Sequence, residues 1–187
     1  MIKFLECYPF KHIGLKIAEG FSAYDGNLGD MAGESHFGID YVLKKNGEFI
    51  SFEVYSMFEG ALSFGVSASL GKFFTISRQI GDFRYDLIYA HLDHINEDLQ
   101  KYELIRGEMD FIVPSRYFLG WSSATGLTHG IRQLHIELHG KNLVTGEKNK
   151  LDPYGVYDRL SSGKYRQPGQ TLAGLNHLWI SDEPEFA

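Results

Sequence analysis

The fold of this chain is decided by residues 133–139, which read Gln133-Leu134-His135-Ile136-Glu137-Leu138-His139. Apolar and polar residues alternate strictly, which predicts an extended strand with one apolar and one polar face. A helix is the alternative, because Ile131, Leu134 and Leu138 also have helical spacing and would bring His135 and His139 onto one face. We favour the strand, because the glutamate of a helical zinc-protease motif directly follows its first histidine, whereas Glu137 comes two residues after His135.

Similar short segments recur along the chain. Short apolar runs broken by glycine extend from 36 to 92. Residues 49–55 and 85–92 are rich in strand formers, residues 61–76 alternate small with large apolar residues, and Asn46-Gly47 is a typical hairpin turn. This spacing predicts an all-β fold, a compact antiparallel β-sheet or sandwich. A short helix is favoured only over 96–106. Residues 1–35 predict loops with one or two short strands, and 161–187 predict an extended tail laid on a single domain spanning 1–187.

The composition limits the classes of function. A length of 187 residues, with 43% hydrophobic and 22% charged residues, is typical of one globular domain. The net charge of −6 disfavours nucleic acid as the main partner. No run of about 18 apolar residues predicts a membrane span, and the first residues lack the apolar segment of a signal peptide. Cys7 is the only cysteine, so no internal disulfide is expected.

The first candidate motif is His36-Phe37-Gly38-Ile39-Asp40. In a strand, His36, Gly38 and Asp40 share one face, so an imidazole and a carboxylate stand two positions either side of a glycine. Zinc accepts both kinds of ligand. An ordinary edge strand with two polar residues is the simpler interpretation of this spacing alone, because His94 and Asp98 repeat it.

Two further segments carry histidines on expected strands. His91 lies in Tyr89-Ala90-His91-Leu92 and is expected near a strand end, on the same face as Tyr89. Taken alone, it is better explained as a packed, hydrogen-bonded histidine, and His135 and His139 as solvated strand residues. Glu137 shares their face, where it either orients a histidine or is an ordinary solvated glutamate.

Four segments together resemble a known family. They are His36-x-Gly-x-Asp40, Tyr89-x-His91-Leu92, Leu134-His135-Ile136-Glu137 and Asp152-Pro153, in that order. This order resembles the signature of the lysostaphin-type (LytM-like) zinc metalloendopeptidases. Thr125-Gly126 and Leu119-Gly120-Trp121 resemble further steps of that family, and the resemblance covers a core of about 24–160.

The resemblance implies a fold of the duplicated hybrid motif type and a catalytic zinc. It implies that His36, Asp40 and His135 are the zinc ligands and that His91 is the catalytic histidine. The implied substrate is a peptide of bacterial cell-wall peptidoglycan, which implies an extracellular or periplasmic location. Because the chain shows no signal peptide, a cytoplasmic location stays open, and the oligomeric state is open as well.

The chain departs from the family pattern at Gln133, where the first histidine of a His-x-His pair is expected. Gly130 also lies one residue farther from His135 than the family pattern has it, so residues 128–133 appear as a local insertion. Either His129 replaces the missing histidine or catalysis depends on His91 alone. The alternatives are a catalytically degenerate domain that binds peptidoglycan or a protein partner, and a carbohydrate-binding β-domain without metal.

Overall fold

A computed structural model describes residues 2–11, 14–19, 38–101, 107–151, 153, 168–169, 171–174 and 176–187. The chain is mostly β-strand, and its main antiparallel sheet is curled into a half-barrel. The prediction of an all-β fold is therefore confirmed. Within the described ranges, no helix is both long and apolar enough to cross a membrane.

The structure contains thirteen strands and one short helix in the described residues. The strands are β1 (Cys7–Tyr8), β2 (Lys16–Glu19), β3 (Ile39–Lys45), β4 (Glu48–Ile50), β5 (Glu53–Tyr55), β6 (Gly60–Ser67), β7 (Gly71–Ile80), β8 (Phe83–Asp93), β9 (Gly107–Val113), β10 (Phe118–Ser122), β11 (Leu134–Asn142), β12 (Lys148–Leu151) and β13 (Glu185–Phe186), and the helix is α1 (Glu97–Gln100).

The main sheet has the order β2-β3-β11-β8-β7-β6-β9. Strand β11 lies near its centre and pairs with β8 over residues 135–142. Its other edge is shared, because β3 pairs with residues 134–136 and β12 with residues 138–141. Side chains of β3, β8 and β12 therefore lie beside those of β11 on the same polar face of the sheet.

Local elements follow the sequence with two corrections. Asn46 and Gly47 both have positive φ, 53° and 85°, as the tight hairpin between β3 and β4 requires. The strand predicted over 49–55 is instead split at Ser51-Phe52, because β4 pairs with β3 whereas β5 pairs with β10. The helix predicted over 96–106 is a single turn at 97–100, β9 begins at Gly107, and residues 102–106 lie outside the described part of the chain.

The hydrophobic core receives residues from both ends of the chain. Trp179 is fully buried, and its ring centroid lies 4.8 Å from that of Tyr8. Leu172 and Leu178 belong to the same core cluster, and β13 pairs in parallel with β1. The sequence predicted residues 161–187 as an extended tail laid on the domain. The described part of this segment packs against the domain and contributes buried residues to its core.

We predict that Trp179→Ala lowers the free energy of unfolding by about 3–5 kcal/mol, because it removes a fully buried indole from a packed core. Urea unfolding followed by circular dichroism measures the loss. Trp121→Ala is the matched control, because Trp121 is 38% exposed in β10 and its removal costs about 1 kcal/mol. Equal losses in the two variants would contradict a core role for the C-terminal segment.

Candidate functional site

A chain of polar side chains runs along the polar face of β11. Leu134, Ile136 and Leu138 point into the core, which confirms the strand prediction and turns His135, Glu137 and His139 to the opposite face. His135 donates from Nδ1 to Asp40 Oδ1 over 2.7 Å and from Nε2 to Glu137 Oε1 over 3.2 Å. Glu137 Oε2 lies 2.7 Å from His139 Nε2. The four side chains therefore form one continuous hydrogen-bonded row.

His135 is held between two carboxylates. Burial alone would lower the pKa of its imidazole, but the hydrogen bonds to Asp40 and Glu137 outweigh burial and raise that pKa to about 9. Burial alone would raise the pKa of Glu137, but the contacts with His135 and His139 hold it well below its ordinary value. In the metal-free protein at neutral pH, His135 is therefore an imidazolium that donates through both nitrogens.

Strand register and Gly38 place His135 against Asp40. His135 lies directly opposite Asp40 in the pairing of β11 with β3, although the two residues are 95 positions apart in sequence. A Cβ at Gly38 would stand 2.3 Å from His135 Cε1 and 2.6 Å from Ile136 O. The imidazole of His135 therefore packs against backbone that only glycine provides, a contact that the sequence motif around Gly38 did not predict.

Gln133 binds the same carboxylate from the side. Its Nε2 donates to Asp40 Oδ2 over 3.3 Å, and both side chains are buried. Each oxygen of Asp40 thus accepts a hydrogen bond, one from Gln133 and one from His135. The residue that stands in place of the expected histidine therefore fixes the orientation of Asp40.

A β-bulge turns His91 toward His135. Residues Lys72 and Phe74 of β7 pair with Leu92 and Tyr89 of β8, so three steps on β8 match two on β7. His91 takes up the extra residue with φ of 60°, and its ring centroid lies 5.7 Å from that of His135. Tyr89 points into the core, where its hydroxyl accepts from Met57 N. The prediction that His91 shares the face of Tyr89 is therefore wrong, because a bulge re-aims the side chain.

A loop contact orients the ring of His91. Its Nδ1 donates to the carbonyl oxygen of Thr125 over 2.7 Å, so a neutral His91 keeps Nε2 as its proton acceptor. The Thr125-Gly126 segment is itself packed against Gly71, where a Cβ would stand 2.4 Å from Thr125 Oγ1. Close packing between this loop and the start of β7 thus fixes the tautomer and the direction of His91.

Asp40 and His135 match the donor types of a zinc site. Two ligands on one tetrahedral zinc stand about 3.3 Å apart, whereas Asp40 Oδ1 and His135 Nδ1 are 2.7 Å apart. If these two atoms moved about half an ångström farther apart, they would have the spacing of two ligands on one zinc ion. In the described ranges, no group of three or more His, Cys, Asp or Glu side chains forms a metal site, and His36, the expected third ligand, lies outside those ranges.

His129 is not a member of the hydrogen-bonded row on β11. His129 is exposed, with φ of 52°, in the turn before β11. Asp152 lies outside the described residues. The bulge at His91 was not predicted from the sequence, although Tyr89 and Leu92, apolar residues three apart in a strand, were a signal for it.

No family model matches the chain, and no curated protein gives a significant match.

Proposed function

We propose that the protein is a zinc-dependent endopeptidase that hydrolyses peptide bonds in bacterial cell-wall peptidoglycan. The buried contact between Asp40 and His135, with His91 beside it, is the observation that carries the proposal. These three residues come from three segments of the family-like sequence pattern. Residues far apart in sequence thus meet on the polar face of one sheet, as a shared reaction centre requires.

Asp40 and His135 would hold the zinc, with His36 as the further ligand that the family resemblance implies. When bound, zinc supplies a water with a pKa of about 7 and a Lewis acid for the scissile carbonyl. Because the pKa of His135 is about 9 in the metal-free protein, zinc uptake at neutral pH must displace its proton. Glu137 and Gln133 would orient the two ligands from behind.

His91 would handle the proton of the reaction. Its Nδ1 is committed to Thr125 O, so Nε2 is the nitrogen that accepts a proton or, once protonated, donates to a developing oxyanion. Gln133 is bound to Asp40 and cannot transfer a proton at neutral pH. Catalysis under this proposal therefore relies on His91, unless His129 moves in from its exposed turn.

A catalytically degenerate domain, which binds peptidoglycan or a protein partner without cleaving, is the second candidate. The hydrogen bonds of the site favour it, because Asp40 and His135 bind each other and are joined by Gln133 and Glu137 in a network of protein groups alone. To bind, zinc would have to replace the ion pair between Asp40 and His135. This candidate predicts no hydrolysis of cross-linked peptidoglycan in the presence of saturating zinc.

We predict about one zinc per chain in the purified protein and loss of that zinc in Asp40→Asn and His135→Gln, because each removes a ligand. Elemental analysis after dialysis measures the metal content. His94→Gln is the matched control, because the side chain of His94 is 84% exposed. A wild-type protein that takes up no zinc, or variants that retain it fully, would exclude Asp40 and His135 as ligands.

We predict that His91→Gln retains zinc but lowers kcat on cross-linked peptidoglycan by about 10²–10⁴-fold, because the positioned proton carrier is lost. Release of soluble peptides measures cleavage. His129→Gln is measured in parallel: unchanged kcat assigns the proton step to His91 alone, and an equal loss assigns it to both residues. Absence of cleavage by the zinc-loaded wild type would select the degenerate binding domain.

We predict that Gly38→Ala lowers zinc affinity at least tenfold, because its Cβ would meet the ring of His135 at 2.3 Å and push it from Asp40. Competition with a chromogenic chelator measures the affinity. Gly14→Ala is the control, since its Cβ would meet only Leu43 Cδ1, at an ordinary 3.7 Å. Equal zinc affinity in both variants would show that the Gly38–His135 contact does not position the ligand.

A further inference from the structure

A second cluster of charged residues lies farther along the same polar face. In β11, His139 pairs with Asp86 of β8 and with Lys150 of β12. Two residues on, Lys141 pairs with Arg84 of β8 and with Lys148 of β12. Residues two apart in a strand share a face. These six side chains therefore stand on one face as two rows across three strands, and we call them the basic cluster.

The basic cluster carries a net positive charge in an acidic chain. Arg84, Lys141, Lys148 and Lys150 are cationic, and Asp86 is its acidic member. Asp86 Oδ1 accepts from Arg84 Nε over 2.8 Å and from Ser77 Oγ over 2.6 Å. The four cations and one carboxylate of the cluster give it a formal charge of +3, whereas the whole chain has a net charge of −6. Positive charge is therefore concentrated locally against the overall sign.

A cavity of about 520 Å³ is formed over this cluster. Its walls include all six side chains of the basic cluster, and Leu143 adds an apolar contact at the turn after β11. Leu143 is 41% exposed. A cavity of this size, with convergent polar groups and an apolar wall, has the dimensions of a small-molecule site.

The arrangement of the cations is costly for the fold. Lys141 lies directly between Arg84 and Lys148 on its two neighbouring strands, and like charges opposite each other destabilise a sheet. Arg84 is turned toward Asp86 and Ser77, so the lysine ammonium groups supply the positive field. A bound anion would offset this repulsion, which gives the charge pattern a physical reason.

We propose that this cavity binds a ligand that carries an oxyanion, a phosphate or carboxylate group, and an apolar portion that contacts Leu143. Lysine ammonium groups bind either anion as point charges. Lys141 lies six residues from His135 along β11, a distance of about 20 Å. The lysines therefore lie well away from the proposed zinc centre, although His139 at the near end of the cluster is joined to His135 through Glu137. The proposed anion binding does not depend on the proposed hydrolysis.

Titration of the metal-free, ¹⁵N-labelled full chain tests this site, with inorganic phosphate and glutarate as the two probes. Saturable chemical-shift changes around Lys141 and Lys148 are expected, with a Kd of about 1 mM or tighter for at least one probe. The better probe tells which of the two anions the natural ligand carries. Absence of saturable shifts with both probes overturns the proposal.

Two charge-matched variants locate the binding. The double substitution Lys141→Gln with Lys148→Gln is expected to raise the Kd of the better probe at least tenfold. The control, Lys44→Gln with Lys45→Gln, removes the same charge from the exposed end of β3 and is expected to leave the affinity unchanged. Equal weakening in both variants would show only a response to net charge and would overturn the site.

Thermal unfolding separates ligand binding from a structural role. The better probe is expected to raise the Tm of the wild type, and Lys141→Gln alone is expected to match or exceed the wild-type Tm without anion, because it relieves the cross-strand repulsion. A marked fall in the Tm of Lys141→Gln would assign the residue to the stability of the sheet and contradict the proposal.

Discussion

The pairing of β11 with β3 on one side and β8 on the other is the constraint on which the site depends. It sets His135 opposite both Asp40 and Ala90, so the imidazole is buried between strands that come from distant parts of the sequence. A slip of one residue in either pairing would turn His135 into the core and a leucine or isoleucine outward. The apolar alternation of β11 therefore fixes the register that positions both the core residues and His135.

The bulge in β8 is the second constraint, and it acts against the regular pattern. Without the extra residue, His91 would follow the alternation of β8 to the face of Tyr89, in the core. The positive φ of His91 and the tightly packed Thr125-Gly126 segment turn it to the polar face. A non-glycine residue in that conformation stores strain, and the fold accepts this strain where two histidines are brought together.

Much of this arrangement was accessible from the sequence, for definite reasons. The strict alternation of β11 predicted the faces of His135 and Glu137. The packing of the His135 ring against Gly38 was not predicted, because it depends on the pairing of β11 with β3. The split at Ser51-Phe52 was not accessible, because the residues there favour a strand and only tertiary pairing divides them between β3 and β10. The bond from Gln133 to Asp40 was missed as well, since it depends on the register of two distant strands.

The entry of Trp179 into the core has a consequence for how the chain folds. Leu5 forms a parallel bridge with Trp179, and β1 pairs with β13, so these contacts join residues almost a whole chain length apart. Pairings of such high sequence separation form slowly, because a long loop must close first. During synthesis, the aromatic surface around Tyr8 stays uncovered until residue 179 leaves the ribosome. Partly folded chains that leave such an apolar surface uncovered are prone to aggregate.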